Sequence, residues 1–229
     1  MNDELRRGLE RQLEALAAHE GAGRRLGGWK VGLTSGRARD AMGRGFRPFG
    51  YLLADRILQS PAEMTLNELH HGSVENELCF TLAGDLRGAP ERADVVAALG
   101  GVAPAFEVVE QRLPPTADAA DRLADNLSQW GIVTGAFRPV DWNAFDFAGL
   151  RVTLSLDGEP VETVAADGHI DDHVDSIAAL VHLLNAFDRG LRPGDRVITG
   201  SYTRQRADRP GRWTGDFGPD LGTVKLTLT

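Results

Sequence analysis

Two glutamates in the segment VENELCFTL, residues 74–82, are the clearest candidates for a chemical role in this sequence. The segment has the apolar character of a β-strand, in which alternate residues share a face, so Glu75 and Glu77 are expected on one side, about 7 Å apart. Burying two neighbouring like charges costs free energy unless a cation compensates them. A divalent metal ion would do so, because hard cations bind carboxylate oxygens. The spacing fits equally well two glutamates on the solvated face of an antiparallel strand.

A third carboxylate, Glu107, lies in the apolar run VAPAFEVV, residues 102–109. An acid in such a run is either at an exposed sheet edge or paired. With Glu75 and Glu77 it would form a three-carboxylate metal site that leaves room for water and a chelating ligand.

Cationic and hydroxyl-bearing residues could bind an acidic ligand near such a site. Lys30, in GGWKVGL, is either a charge partner for an acid or an ordinary lysine whose stem is buried while its amine reaches water. The segment GSYTRQ, residues 200–205, offers Ser201, Thr203 and Arg204 after a predicted strand. These groups suit carboxylate binding, although a polar turn would have the same composition.

The pair Asp125-Asn126 in LADNLSQWG precedes another apolar strand. It is either a plain turn or a polar support for the site. Two further residues are interpreted as core: Cys79, as a small buried residue, and His182, because it falls within an apolar helix.

The framework that must position these residues is predicted from hydrophobic periodicity. Helices are expected over residues 2–19, 90–100 and 173–190, with a short helix after Ser35 as its N-cap. Strands are expected over residues 50–58, 74–82, 102–113, 130–137, 195–201 and 223–228, and a hairpin over 150–165 turns at Asp157-Gly158. Strands outnumber helices, so the pattern predicts one α+β domain dominated by mixed β-sheet.

Composition limits the class of protein. The 229 residues carry a formal net charge of −8, which argues against binding to a nucleic-acid backbone. The single cysteine cannot form an internal disulfide, and no run approaches the length of about 20 apolar residues of a membrane span. The first 21 residues lack the apolar core of a secretory signal, so a cytoplasmic protein is expected.

Six motifs in a fixed order identify a family. The segments GWKVGLTS, FGYLL, VENELCF, APAFEVVE, ADNLSQWG and TGSYTR resemble those of the 2-keto-4-pentenoate hydratase and 4-oxalocrotonate decarboxylase family, within the fumarylacetoacetate hydrolase superfamily. The resemblance implies a mixed β-sheet roll of the fumarylacetoacetate hydrolase C-terminal-domain type, with peripheral helices. It covers residues 26–229 as one catalytic domain and leaves residues 1–25 as an N-terminal helical leader.

The resemblance also assigns roles to residues. It implies a Mg²⁺ or Mn²⁺ site at Glu75, Glu77 and Glu107, places the family's lysine at Lys30, and places its Asp-Asn pair at Asp125 and Asn126. The implied partner is a small 2-oxo or 2-hydroxy-dienoate acid, and a homo-oligomer is expected.

The implied activity is hydration of a 2-hydroxy-2,4-dienoate to a 4-hydroxy-2-oxo acid in meta-cleavage-type aromatic catabolism. Lys30 would place positive charge near the substrate carboxylate or enolate, and Asp55 is the candidate general acid–base, with Glu110 as its substitute. Ser201, Thr203 and Arg204 would hold the distal end of the substrate.

Departures from the family pattern keep other functions open. Glu110 stands where many relatives have aspartate, and the Pro48–Asp55 region is closer to the decarboxylase form, whereas GSYTR is closer to the hydratases for diacid dienoates. The alternatives are a 4-oxalocrotonate-type decarboxylase, a C–C hydrolase of the same superfamily, and a weakly active partner or binding subunit.

Overall fold

The chain forms twelve β-strands and five α-helices, and the computed structural model describes all of residues 1–229. The helices are α1 (Asp3–Gly21), α2 (Arg92–Ala98), α3 (Ala119–Ala124), α4 (His173–Asn185) and α5 (Gly218–Leu221). The strands are β1 (Leu26–Val31), β2 (Phe49–Leu53), β3 (Ile57–Gln59), β4 (Ala62–Met64), β5 (Ser73–Leu82), β6 (Leu99–Val109), β7 (Gln129–Thr134), β8 (Arg151–Leu156), β9 (Glu159–Ala165), β10 (Arg196–Arg206), β11 (Gly211–Asp216) and β12 (Thr223–Leu228).

These strands form two mixed sheets. The larger has the order β2-β1-β10-β5-β6-β7-β3, with parallel pairing only between β1 and β10 and between β3 and β7. The smaller has the order β4-β12-β11-β8-β9, in which only β4 and β12 run parallel. The predicted α+β class with mixed sheets is therefore confirmed.

The seven-stranded sheet curls round a small apolar core. That core consists of Leu52, Cys79, Ala105, Ile132 and Ile198, which are all buried. Leu52 lies on β2 and Ile132 on β7, five places apart in the sheet order, so the two side chains share one cluster only because the sheet rolls up. The inner face of this roll is the face that carries Cys79 and, by alternation, the two glutamates that precede it on β5.

The main hydrophobic core includes the first helix. Leu5, Leu9 and Leu16 of α1 belong to the same cluster as the core residues of both sheets. The buried Gln12 amide donates to the carbonyl oxygens of Phe49 (3.0 Å) and Leu123 (2.7 Å), which ties α1 to β2 and α3. None of the helices combines the length and the hydropathy that crossing a membrane requires.

Several local predictions are confirmed and others are wrong. Asp157 and Gly158 have φ of 56° and 95°, as a primed hairpin turn requires, and Cys79 is buried. The strand predicted over 50–58 is interrupted, because the chain leaves β2 at Leu53 and makes a 3₁₀ turn before β3. His182 is exposed, since it lies on the outer side of α4; the buried histidine of that helix is His173. The strands β1, β4 and β11 and the helices α3 and α5 were not predicted.

Candidate active site

Three glutamates meet on the inner face of the rolled sheet. Glu75 on β5 lies directly opposite Glu107 on the antiparallel β6, and Glu77 is the next residue of β5 on the same face. One carboxylate oxygen of each lies within 4.8 Å of the others, and all three side chains are buried. The structure therefore brings together the three residues that the sequence singled out, and it rules out the solvated-face alternative.

Hydrogen bonds and ion pairs hold each carboxylate. The Lys30 Nζ donates to Glu107 Oε1 and to the carbonyl oxygen of Leu127, at 3.0 Å from the latter. The Arg204 guanidinium lies 3.1 Å from Glu75 Oε1. The Gly200 N–H donates to Glu77 Oε2 at 2.7 Å. The three acids are thus faced by two cations and by one backbone amide.

Burial and mutual repulsion make this cluster costly to ionise. Burial, followed by the charges of Glu107 and Glu75, raises the pKa of Glu77 well above its usual value. Burial and the charge of Glu107 also raise the pKa of Glu75, against the opposing effect of Arg204. Because the two cations leave one negative charge uncompensated, the cluster favours uptake of a further positive charge.

The donor set fits a hard divalent cation. Three carboxylates with oxygens in one small volume are the ligands that Mg²⁺ and Mn²⁺ prefer, and no thiolate or imidazole lies among them. Glu75, Glu77 and Glu107 are the residues that would hold the ion.

A cavity of about 550 Å³ opens over the cluster. Its wall contains the carboxylates and Lys30 together with polar groups from several further segments. Among these are Thr34, Arg37, Arg122, Ser128, Glu162, His169, Ser201, Tyr202, Thr203 and Arg204. A small acid could therefore contact cationic, hydroxyl and carboxylate groups at once.

The predicted ligand-binding segment of β10 does line this cavity. Ser201, Thr203 and Arg204 all contribute to its wall. The Ser201 hydroxyl donates to the carbonyl oxygen of Thr203 at 2.8 Å, and the Thr203 hydroxyl lies 3.4 Å from the Asn76 N–H.

The predicted Asp125-Asn126 pair supports the cavity from behind. The Asn126 side chain accepts from the Tyr51 N–H at 2.8 Å and donates to the Tyr51 carbonyl at 3.0 Å. This clamp holds Asn126, Leu127 and Ser128 in the left-handed region, with φ of 56°, 52° and 64°. The Leu127 carbonyl is thereby directed at Lys30. Asp125 accepts from Arg112 at 2.8 Å and does not line the cavity.

The two predicted acid–base residues lie elsewhere. Asp55 is exposed in the 3₁₀ turn after β2, where it pairs with Arg24. Glu110 comes three residues after Glu107, so strand alternation directs it to the opposite face, and it pairs with Arg112 and accepts from the His70 N–H. Neither contributes to the cavity wall, so the structure does not bring them together with the three glutamates and Lys30.

Sequence reasoning missed several residues of the cavity. Thr34 and Arg37 directly continue the Lys30 motif, so their proximity in sequence was an available signal. Glu162 and His169 reach the cavity from the β8–β9 sheet and the segment that follows it, and only the packing of the two sheets brings them there.

Curated relatives resemble this chain over most of its length. A 4-oxalocrotonate decarboxylase of a Pseudomonas species is 29% identical over 226 residues, which cover 98% of this chain and 87% of the relative. A 2-keto-4-pentenoate hydratase of Paraburkholderia phymatum is 32% identical over 210 residues, which cover 90% of this chain and 79% of the relative. No family model matches the chain.

Solved structures share the fold. A 4-oxalocrotonate decarboxylase from Pseudomonas putida G7, in complex with magnesium and adipate, matches with a TM-score of 0.85 and 26% identity over 95% of this chain and 83% of that one. A fumarylpyruvate hydrolase from Pseudomonas aeruginosa, in complex with Mn²⁺ and pyruvate, matches with a TM-score of 0.64 and 17% identity over 90% of this chain and 89% of that one. The predicted roll of the fumarylacetoacetate hydrolase type is thereby confirmed.

Proposed function

We propose that this chain is a divalent-metal-dependent lyase, because it belongs to the family of 2-keto-4-pentenoate hydratases and 4-oxalocrotonate decarboxylases. The reaction adds water to a 2-hydroxy-2,4-dienoate, or its 2-oxo tautomer, and gives a 4-hydroxy-2-oxo acid. The observation that carries this proposal is the convergence of Glu75, Glu77 and Glu107 with Lys30 in one cavity. Mg²⁺ or Mn²⁺ is the proposed ion.

Each part of the cavity has a role in this proposal. A cation held by the three glutamates would supply Lewis-acid stabilisation of negative charge on the 2-oxygen of the substrate. Lys30 offers a buried ammonium beside the cluster, which attracts the substrate carboxylate and can hold or release a proton at Nζ. Ser201, Thr203 and Arg204 offer hydroxyl and guanidinium donors to the distal end of the substrate.

Isothermal calorimetry with Mg²⁺ and Mn²⁺ tests the metal site. Glu75→Gln and Glu77→Gln each remove one charged oxygen donor and are expected to weaken binding at least tenfold. Glu63→Gln makes the same chemical change at an exposed position of β4 and is the matched control. Wild-type affinity in both site variants would overturn the assignment.

Substrate tests separate the reactions. Purified enzyme is given 2-hydroxypentadienoate and 4-oxalocrotonate, and loss of dienol absorbance and release of CO₂ are followed together. Absorbance loss without CO₂ selects the hydratase. Binding of oxalate with metal but without turnover would favour the binding-subunit alternative.

A decarboxylase is the second candidate. The relative that covers 98% of this chain and the structure with a TM-score of 0.85 are both 4-oxalocrotonate decarboxylases. The same cavity would serve, since both reactions develop negative charge at the same oxygen of the substrate. CO₂ release from 4-oxalocrotonate selects this function.

Family resemblance further supports a homo-oligomer that works in the cytoplasm. Size-exclusion chromatography with light scattering tests the assembly, and a mass of 24.7 kDa in solution would overturn it.

A further inference from the structure

Strand β10 is irregular at the point where it passes Glu77. Its register with β5 runs from Ile198 opposite Cys79 to Ser201 opposite Glu77, and then to Thr203 opposite Asn76. Each step inserts one extra residue into β10, so two bulges follow one another. Bulges re-aim the backbone and side chains of the strand that carries them, and this pair lies beside the carboxylate cluster.

The first bulge supplies the hydrogen bond that orients Glu77. Gly200, within this bulge, has φ of 134° and directs its N–H to Glu77 Oε2 at 2.7 Å. A side chain at Gly200 would collide with the Thr34 hydroxyl, which itself donates to the Thr199 carbonyl at 2.9 Å. The direction of the Glu77 carboxylate thus depends on the conformation of residues 199–202.

One buried side chain bonds to both bulges. His173, at the first turn of α4, places Nδ1 2.8 Å from the Thr199 hydroxyl and Nε2 2.8 Å from the Tyr202 hydroxyl. Thr199 belongs to the first irregular step and Tyr202 to the second. His173 is 3% exposed, and its imidazole packs against the rings of Phe80 and Phe147. These aromatic contacts, together with the two hydrogen bonds to β10, fix the position of the ring.

We propose that His173 is a positioning residue of the metal site, which holds the double bulge of β10 so that the Gly200 N–H orients Glu77. His173 touches none of the three carboxylates and acts on them through Thr199, Tyr202 and the backbone between them. The inference rests on the proposed function only in taking Glu77 as a metal ligand. It assigns a role to a residue that lies outside the cavity wall and on a different element from every proposed ligand.

Mn²⁺ affinity is the measurement that tests this role. His173→Phe keeps an aromatic ring among Phe80 and Phe147 but removes both hydrogen bonds. Loss of a group that hydrogen-bonds a metal ligand, as the Gly200 N–H does, typically weakens metal binding about 10–100-fold, and we expect a fall of at least tenfold when the bulge that aims this N–H is released. Thr199→Val and Tyr202→Phe each remove one of the two bonds, and each is expected to produce part of that fall.

A matched control separates positioning from general destabilisation. Ile177→Val removes one methyl group from the same helix and the same core, without touching β10 hydrogen bonds, so its Mn²⁺ affinity should equal that of the wild type. His173→Asn returns an amide to the place of Nδ1 and should recover part of the affinity lost in His173→Phe.

The outcomes distinguish the two proposals. Wild-type protein that binds no Mn²⁺ would overturn the metal site and, with it, the role of His173. Wild-type protein that binds Mn²⁺ with the same affinity as folded His173→Phe would overturn only the role of His173. A fall in His173→Phe that Ile177→Val reproduces would also overturn it.

Discussion

Replacing Lys30 by methionine is expected to lower stability and raise metal affinity at the same time. Methionine keeps most of the apolar stem but removes the ammonium that pairs with Glu107, in a pair whose side chains are 8% and 4% exposed. Breaking a buried ion pair by removing one partner costs about 3–5 kcal/mol, because the other charge stays buried and unpaired. The cluster then has three carboxylates and only Arg204 to face them.

Thermal unfolding in EDTA measures the first effect. For a chain of this length each kcal/mol shifts the melting temperature by about 2–4 °C, so Lys30→Met is expected to melt roughly 6–20 °C below the wild type. Adding Mn²⁺ stabilises by about 2.7 kcal/mol at a hundredfold excess over Kd. Because the variant leaves more negative charge for the ion, its Kd should be lower and its rise in melting temperature larger.

A double variant provides the decisive comparison. Lys30→Met with Glu107→Gln removes both charges of the pair, so the protein should be more stable than Lys30→Met alone. Two results would refute the reasoning: a melting temperature of Lys30→Met in EDTA equal to that of the wild type, or a double variant whose loss equals the sum of the single losses. Either would mean that the pair is not buried and coupled as the geometry indicates.

Three further predictions concern the supports of the site. Burial lowers the pKa of His173 to about 4, whereas the pKa in the unfolded chain is about 6.5. The stability that depends on the neutral imidazole is therefore fully present above pH 6.5 and is lost as the pH falls toward 4. Urea titrations should show a loss of roughly 3 kcal/mol in the wild type and none in His173→Phe. Gly200→Ala should weaken Mn²⁺ binding in calorimetry and destabilise by more than about 1 kcal/mol, because φ is positive and the Thr34 hydroxyl occupies the space; a variant of wild-type stability would contradict this. Gln12→Leu should destabilise by about 1–3 kcal/mol in denaturant melts, since it removes the buried amide that donates to the Phe49 and Leu123 carbonyl oxygens, whereas the exposed Glu14→Gln should not.

The part of the site that obeys strand alternation could be predicted from the sequence. The two-residue repeat of a β-strand is enough to place Glu75 and Glu77 on one face with Cys79. Glu107 stands out because it is an acidic residue within an apolar run. Alternation also shows why Glu110 is excluded, since an offset of three residues reverses the face. What alternation could not supply was the register that sets Glu75 opposite Glu107, because pairing between strands depends on the rest of the sheet.

The part of the site that departs from regular structure could not be predicted in this way. Asn126, Leu127 and Ser128 have positive φ without being glycine, and what holds them is the contact of Asn126 with Tyr51, 75 positions away. The double bulge of β10 likewise leaves no periodic signal, because it depends on a hydroxyl and an imidazole from other segments. The position of Asp55 outside the cavity could not be predicted for the same reason, since the 3₁₀ turn that exposes it interrupts a run of strand-forming residues.

Charge arrangement explains how a chain with a net charge of −8 can serve an acidic substrate. Three of the 33 acidic residues lie on the inner face of the roll, where burial raises the pKa of Glu77 and makes negative charge costly. Lys30 and Arg204 leave that cluster one positive charge short of balance. A divalent cation bound to the three ionised glutamates would turn this single negative charge into a single positive one. With the ion bound, the three acids would form a centre that attracts anions inside an acidic protein.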